Sequence, residues 1–240
     1  MFSFLTLILL SLEHYGMKYR HFMLVACFCC FLFSASAGDV AHLVHLGFSP
    51  DGKTYAFGEY GMLDKTYRSY AQIYIVDVEK NEFVKNGVFK TSPSALTSKK
   101  ESHSVFLSLQ NQAGSMLTKT GVSTQNDGRV IYAQTEKTKH NTNFYVRDFE
   151  TSYEYSITVH KEIKGLNAAF YISFDTISPA GVKKSYTVGN KTYFRTGVKD
   201  YNLKKVIINA HNDALVFVLE KVISDTSGDC IRYMVETIKL

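Results

Sequence analysis

The chain has 240 residues, with 27 basic and 22 acidic side chains and a net charge of +5. Lys and Arg are scattered among Asp and Glu with no run of five like charges, which argues against a dedicated nucleic-acid surface. Four cysteines first suggest a disulfide framework. Three of them, Cys27, Cys29 and Cys30, fall in the N-terminal apolar segment, so a processed chain keeps Cys230 alone and can build neither an internal disulfide nor a cysteine-based zinc site.

Met17 is followed by Lys18, Arg20 and His21, then by an apolar run from Phe22 to Phe33, then by Ser34-Ala35-Ser36-Ala37 with small residues where a signal peptidase reads. A basic start, a short apolar core and an A-x-A-like end describe a secretory signal peptide over residues 1–37. The core is shorter than the roughly 20 apolar residues that a membrane span needs. Cleavage is expected after Ala37, leaving Gly38 as the mature N-terminus. The upstream piece "MFSFLTLILLSLEHYG" is read as a start-site error, with translation beginning at Met17 rather than Met1. A two-segment anchor is the lesser alternative, because Glu13 and His14 interrupt the apolar stretches. Leu24-Val25-Ala26-Cys27 resembles a lipoprotein acceptor, but only Phe22 and Met23 precede it as apolar core and the chain stays apolar after Cys27, so lipidation is not expected. The mature chain of 203 residues is long enough for one sizeable core, and a single β-rich secreted domain is expected over 38–240.

Val44 to Phe48 reads as a strand, and Ser49-Pro50-Asp51-Gly52 as a turn in which Pro presets φ and Gly accepts the positive φ that closes it. Thr54 to Glu59 forms a second strand, and a polar loop runs from Leu63 to Ser69. Gln72 to Val78 alternates with period two, and Glu79-Lys80-Asn81 turns into Phe83 to Phe89, completing a four-stranded antiparallel meander. The rhythm then changes. Val105, Leu109, Ala113, Met116 and Leu117 share one face at 3.6 spacing, which predicts a helix near 102–120, capped by Ser102 or Ser104 and stopped by Gly121. A weaker copy of the meander follows: the turn Asn126-Asp127-Gly128-Arg129, then strands over Val130–Ala133, Phe144–Phe149 and Tyr153–Val159. Residues 166–208 supply four short strands, at Ala168–Phe174, Lys184–Val188, Lys191–Thr196 and Tyr201–Ile208, with Gly189-Asn190 as a hairpin signal. A third copy has the turn His211-Asn212-Asp213, strand Ala214–Leu219, a loop over Ser224–Asp229 and strand Ile231–Thr237.

Three such units are too few for a closed propeller, which takes at least four blades of about 40 residues. The expected fold is mainly β: antiparallel, blade-like meanders forming stacked or sandwiched sheets, with one inserted helix. A closed barrel is the runner-up.

Four stretches, "LGFSPDGKTYAFGEYG" (46–61), "YAQIYIVDVEKNEFV" (70–84), "RTGVKDYNLKKV" (195–206) and "IRYMVETIKL" (231–240), resemble a family of predicted secreted bacterial proteins defined only as a domain of unknown function. They run over essentially the whole mature chain. Residues 47–57 alone are also similar to WD-type propeller repeats. The family resemblance implies export and a single domain, and it implies no catalytic residues.

Chemistry-bearing residues are sparse. His42 and His45 lie three apart in a strand, point to opposite faces and cannot chelate one metal. His140, His160 and His211 sit in or beside expected loops, with no spacing that requires convergence. Asp51, Asp127 and Asp213 belong to turns and are expected to cap local backbone N–H groups. Asp77, Asp148 and Glu236 are expected to pair with Arg147, Arg195 or Arg232 across strands. The loop Asp225-Thr226-Ser227-Gly228-Asp229 is the nearest approach to a Ca²⁺ loop and lacks the gathered oxygen ligands. "HKEIKG" at 160–165 lacks the second His of a zinc protease, and no G-x-S-x-G elbow, P-loop or Rossmann glycine cluster occurs. Neither a cofactor nor a metal is expected. Tyr60, Tyr67 and Tyr70, flanking the polar loop, are the candidate binding residues. The expectation is an exported, non-enzymatic module, periplasmic or secreted, binding another protein or an envelope component. Nucleic acid is not an expected partner, and a membrane only through an uncleaved leader. The alternative is an envelope hydrolase with a site built from loops 60–70 and 224–229.

Overall fold

The computed structural model describes residues 38–225 and 228–240. The leader expected at 1–37, with Met17 and Cys27, lies outside the described residues. Among the described residues no helix is long and apolar enough to cross a membrane.

Among the described residues, twelve strands form three four-stranded antiparallel sheets, none of them closed. The first holds β1 (His42–Phe48), β2 (Thr54–Leu63), β3 (Arg68–Asp77) and β4 (Glu82–Thr91) in chain order. It is the meander expected from the turn and alternation signals. Helix α1 (Ser102–Thr120) follows, then β5 (Arg129–Ala133), β6 (Asn143–Arg147), β7 (Glu154–Lys164), β8 (Asn167–Ile177) and β9 (Lys183–Thr196). Strands β10 (Val198–Ile208), β11 (Ala214–Asp225) and β12 (Gly228–Lys239) complete the chain. The second sheet has the order β12-β11-β10-β5 and the third the order β6-β7-β8-β9.

Burial arranges these elements in layers. In β11, Leu215, Phe217 and Leu219 pack with the third sheet, whereas Ala214, Val216 and Val218 pack with Tyr55, Phe57 and Tyr74 of the first. The second sheet is therefore central, with apolar partners on both faces, and this explains the unbroken apolar run of β11. The first sheet uses its other face, Ala56, Ala71, Ile73 and Ile75, to seat α1 through Val105, Phe106, Leu109 and Ala113. The helical face is the one its spacing predicted, with Phe106 added. The cap differs: the Glu101 carboxylate accepts from the backbone N–H groups of His103 (2.9 Å) and Ser104 (2.6 Å), and Gly121 ends the helix at φ 70°. A carboxylate at the N-terminus also faces the positive end of the helix dipole, an advantage a serine lacks.

Phe106 reaches the first sheet because Gly58 leaves room for it. A Cβ at Gly58 would lie 2.5 Å from the Phe106 ring and 2.9 Å from the Gln72 carbonyl oxygen. Gly58→Ala is expected to destabilise by about 1–3 kcal/mol through overpacking. Urea denaturation would register this as a lower midpoint at unchanged slope; an unchanged midpoint would contradict the packing.

Three expectations are corrected. The second unit is not one meander, because β5 leaves it and pairs with β10 (Tyr132 opposite Val206) while β6 and β7 pair with each other. Gly189-Asn190 is not a hairpin. The segments on either side both pair with β8, Val188 with Ile172 and Arg195 with Ala168, and β9 bulges between them. Gly189 at φ +91° permits the distortion, and the Asn190 side chain accepts from the Thr192 N–H (2.9 Å), closing the local turn. His160 lies within β7 rather than at a loop, its ring stacked on Tyr171 at 4.3 Å.

Candidate functional site

The three expected binding tyrosines are separated by the pleat of the first sheet. Tyr60 points to the helix side, stacked on His42 (5.0 Å) and against Phe106 (5.3 Å). Tyr70 faces the central sheet. It is 2% exposed and donates from its hydroxyl to Asp39 Oδ2 at 2.6 Å. Tyr67, in the β2–β3 turn, is 61% exposed. The three do not form one surface.

Around Tyr70 lies a polar cluster between the first and central sheets. Arg232 pairs with Asp39 at 2.9 Å and its guanidinium sits 4.4 Å from the Tyr70 ring centroid. Buried Glu59 accepts from the Tyr233 N–H at 2.6 Å. Burial raises the Glu59 carboxyl above the ordinary value despite that bond and the nearby cations of Lys221, Arg232 and Lys90. Burial likewise lowers the Lys221 ammonium, with Glu59 acting against it. Asp39, Glu59 and Tyr70 are buried, and their bonds to Arg232 and to the Tyr233 N–H join the sheets.

Of the turn acids expected to cap a local backbone N–H, Asp51 does so, whereas Asp127 and Asp213 make other contacts. Asp51 accepts from Ser49 Oγ (2.6 Å) and the Lys53 N–H (3.1 Å). Asp127 is engaged through its backbone carbonyl with His45 (2.8 Å), and Asp213 accepts from the Asn209 amide (2.7 Å). Of the expected arginine pairs, Arg195 with Glu236 is present at 3.9 Å. Asp77 instead meets Lys80 at 3.3 Å, and Asp148 meets Arg129.

Hydrolytic chemistry finds little in the geometry. In the loop expected to serve the hydrolase alternative, residues 226 and 227 lie outside the described residues, and Asp229 is held by Lys199 at 2.8 Å. His160 Nε2 lies 2.8 Å from Ser173 Oγ, but both are mid-strand, where backbone N–H groups serve the ladder rather than an oxyanion hole. Among the described residues no ion pair joins a histidine to a carboxylate within 4.0 Å, and no group of three or more His, Cys, Asp or Glu is placed to hold a metal ion.

A cleft of about 500 Å³ opens instead where the β6–β7, β8–β9 and β10–β11 turns converge. That volume lies within the roughly 300–1,000 Å³ of ligand pockets. Tyr153, Tyr155 and Tyr186 line it together with Thr151, Thr176, Ser178 and Asn212. Its wall is braced by Arg129, which donates to Asp148, to Glu150 (2.6 Å) and to Asn212 Oδ1 (3.0 Å). Burial, with the Asp148 charge adding to it and Arg129 opposing, pushes the Tyr155 phenol up to about 12, so it stays protonated at ordinary pH. On the β6–β7 turn beside the cleft, Phe149 is 88% exposed, an unusual position for so large an apolar ring. None of these residues was expected as a site. The strand expected over 144–149 ends on Phe149, whereas β6 stops at Arg147 and leaves Phe149 in the turn.

No curated protein and no solved structure matches the chain significantly. The model of the predicted secreted protein family, domain of unknown function 2259, matches residues 56–239, from β2 to the end of β12. The chain thus belongs to that family of predicted secreted proteins.

Proposed function

We propose that the protein is an exported, non-enzymatic binding protein whose ligand enters the cleft between the β6–β7, β8–β9 and β10–β11 turns. The carrying observation is the placement of three tyrosines in a concavity of about 500 Å³, with exposed Phe149 on the adjoining turn. Rigid aromatic groups give large contact area at small entropic cost, and turns held by a sheet scaffold are where recognition groups concentrate. The hydrolase alternative on loops 60–70 and 224–229 has weaker support, because Tyr60 and Tyr70 at the first are drawn into packing and Asp229 at the second is held by Lys199.

Export through the 1–37 leader, to the periplasm or beyond, belongs to the same reading. It is supported by Asp39, the second residue of the expected mature chain, which is already buried and ion-paired in the fold. N-terminal sequencing of the exported protein is expected to begin at Gly38.

The cleft is tested by thermal-shift screening of the exported protein against sugars, amino acids, short peptides and polyamines. A ligand at about a hundred times its Kd adds roughly 2.7 kcal/mol to stability. At least one compound is expected to raise Tm, and the Phe149→Ala/Tyr153→Ala variant is expected to lose that rise while keeping the unliganded Tm within about 0.5 kcal/mol of stability. Tm rises that survive the double substitution would place binding elsewhere.

A further inference from the structure

Strand β9 forms one edge of the third sheet, and its first half borders the cleft. In an antiparallel pair, opposite residues alternate between bonding each other and turning their backbone groups away. The Ser178 N–H donates to the Val182 carbonyl at 2.9 Å, which fixes the phase of the ladder. Thr176 with Lys184 and Phe174 with Tyr186 are then the bonded pairs, and Lys183, Ser185 and Thr187 point their backbone N–H and C=O groups outward. All three residues are exposed, and among the described residues no hydrogen bond takes up these outward groups. The edge of β12 is covered instead. There the Asp39 carbonyl, the Glu59 carboxylate and the Asn81 side chain accept from the N–H groups of Ile231, Tyr233 and Thr237.

A strand laid against the β9 edge bonds to those groups and sends alternate side chains to opposite faces. On the inner face its neighbours are Lys184 and Tyr186, both of which line the cleft. The charge of β9 selects the occupant. Its 14 residues hold Lys183, Lys184, Lys191 and Arg195 and no acidic residue. Lys183 pairs with Asp175 at 2.8 Å and Arg195 meets Glu236 at 3.9 Å. Lys184 and Lys191 meet no carboxylate within 4.0 Å among the described residues. The Asp213 carboxylate, in the same lining, is bonded to the Asn209 amide. Edge lysines discourage pairing between two copies of the chain, because like charges meet across the new ladder. An opposite charge on the added strand stabilises that ladder.

We infer that the β9 edge between Lys183 and Thr187 pairs with an extended, acidic peptide segment of another protein. One carboxylate side chain of that segment enters the cleft beside Lys184. The inference rests on the binding reading above and adds the class of the ligand and its mode of attachment. Two substitutions separate the backbone and charge contributions. Thr187→Pro removes an outward N–H that the fold does not use, which an edge strand tolerates. Lys184→Glu reverses the charge at an exposed position, where stability changes little.

Fluorescence anisotropy of labelled peptides of about seven residues, the length of a short strand, provides the test on the exported protein. Alternating Glu and Val make the acidic probe, and alternating Lys and Val the basic one. A third probe repeats the acidic sequence with every amide N-methylated, so that it cannot donate to an edge. The acidic probe is expected to bind at least about tenfold more tightly than either of the others. Thr187→Pro is expected to weaken it by about tenfold, and Lys184→Glu to shift the preference toward the basic probe by roughly fivefold. If Thr187→Pro does not fold, the N-methylated probe decides alone. Equal affinity for the acidic and N-methylated probes, or binding that a folded Thr187→Pro leaves unchanged, would overturn strand addition. Loss of such binding in Phe149→Ala/Tyr153→Ala would still keep the cleft as a site. Equal binding of acidic and basic probes would overturn the charge selection. Dimers of the protein alone that Thr187→Pro abolishes would give the edge to a second copy and overturn the inference. Binding of no probe would overturn it too, and the cleft would then rest on the thermal-shift screen.

Discussion

Replacing Arg232 by methionine is expected to cost about 3–5 kcal/mol at neutral pH, a large share of the roughly 5–15 kcal/mol that holds a domain folded. Methionine keeps much of the apolar stem but removes the guanidinium, leaving the Asp39 carboxylate buried and without its cation. The contact with the Tyr70 ring is lost as well. The pH dependence identifies the cause. Burial alone would raise the Asp39 carboxyl, but hydrogen bonds from Tyr70, Arg232 and Cys230 and the Arg232 charge together hold it below its ordinary 3.8. A depressed folded-state value gives stability that is present above 3.8 and is lost as pH falls through the folded value. In Arg232→Met the balance tips toward burial, the folded value rises, and acid relieves the variant instead of weakening it. The stability difference between the two proteins should therefore be widest near pH 7 and should narrow below about pH 4. Glu59 reinforces the trend, since its raised carboxyl favours the folded state at low pH, an advantage lost as pH climbs through the folded value. Asp39→Asn/Arg232→Met should regain more than half of the loss, because removing both charges avoids the orphaned carboxylate. Additive single effects, or a difference independent of pH, would deny the pair its role as the clamp between sheets.

The parts of the fold legible in the sequence were those set by neighbouring residues. The Ser49–Gly52 turn and the alternation of Gln72 to Val78 specify the first meander locally, and the 105-109-113-116 spacing specifies α1. What stayed hidden depended on distant partners. β5 has the composition of a strand, but its choice of β10 over β6 follows from burial against Val206 and Ile208, which lie about seventy-five residues away. Glycine followed by asparagine serves a hairpin and a bulge equally well, and only the ladder offered by β8 decides for the bulge. The tyrosines near the 63–69 loop carried no face information once the strand registers were unknown, so a ring under the helix, a ring between sheets and a ring in solvent read alike. The cleft is the extreme case. Its walls come from turns near residues 150, 180 and 212, and no local spacing announces that three turns will meet.

Phe217→Ala is expected to cost about 3–5 kcal/mol, the range for truncating a fully buried phenylalanine. Phe217 is completely buried on β11 and its ring lies 5.2 Å from that of Phe174, at an angle of 53°. It sits in the middle strand pair of the central sheet, opposite Glu236 on β12, where neighbours on both sides restrict collapse into the space left behind. The layering makes a sharper claim than the magnitude. Phe217 points to the third sheet, while Val216 and Val218 on either side of it point to the first. In double-mutant cycles, Phe217→Ala should therefore couple to Phe174→Ala by at least about 0.5 kcal/mol, and should add independently, within about that error, to Phe57→Ala across the opposite face. Coupling to Phe57 and not to Phe174 would invert the face assignment of β11, and with it the order of the three sheets. An aromatic pair joining the central and third sheets near the cleft also has a functional consequence. Phe174 lies two residues from Thr176 on the same strand face, and Tyr186 stacks on its ring at 5.0 Å. Loss of Phe217 should thus loosen the cleft wall to which Tyr155 and Thr176 belong, so that ligand-induced stabilisation falls together with Tm, whereas truncation of Val218 on the opposite face should lower Tm alone.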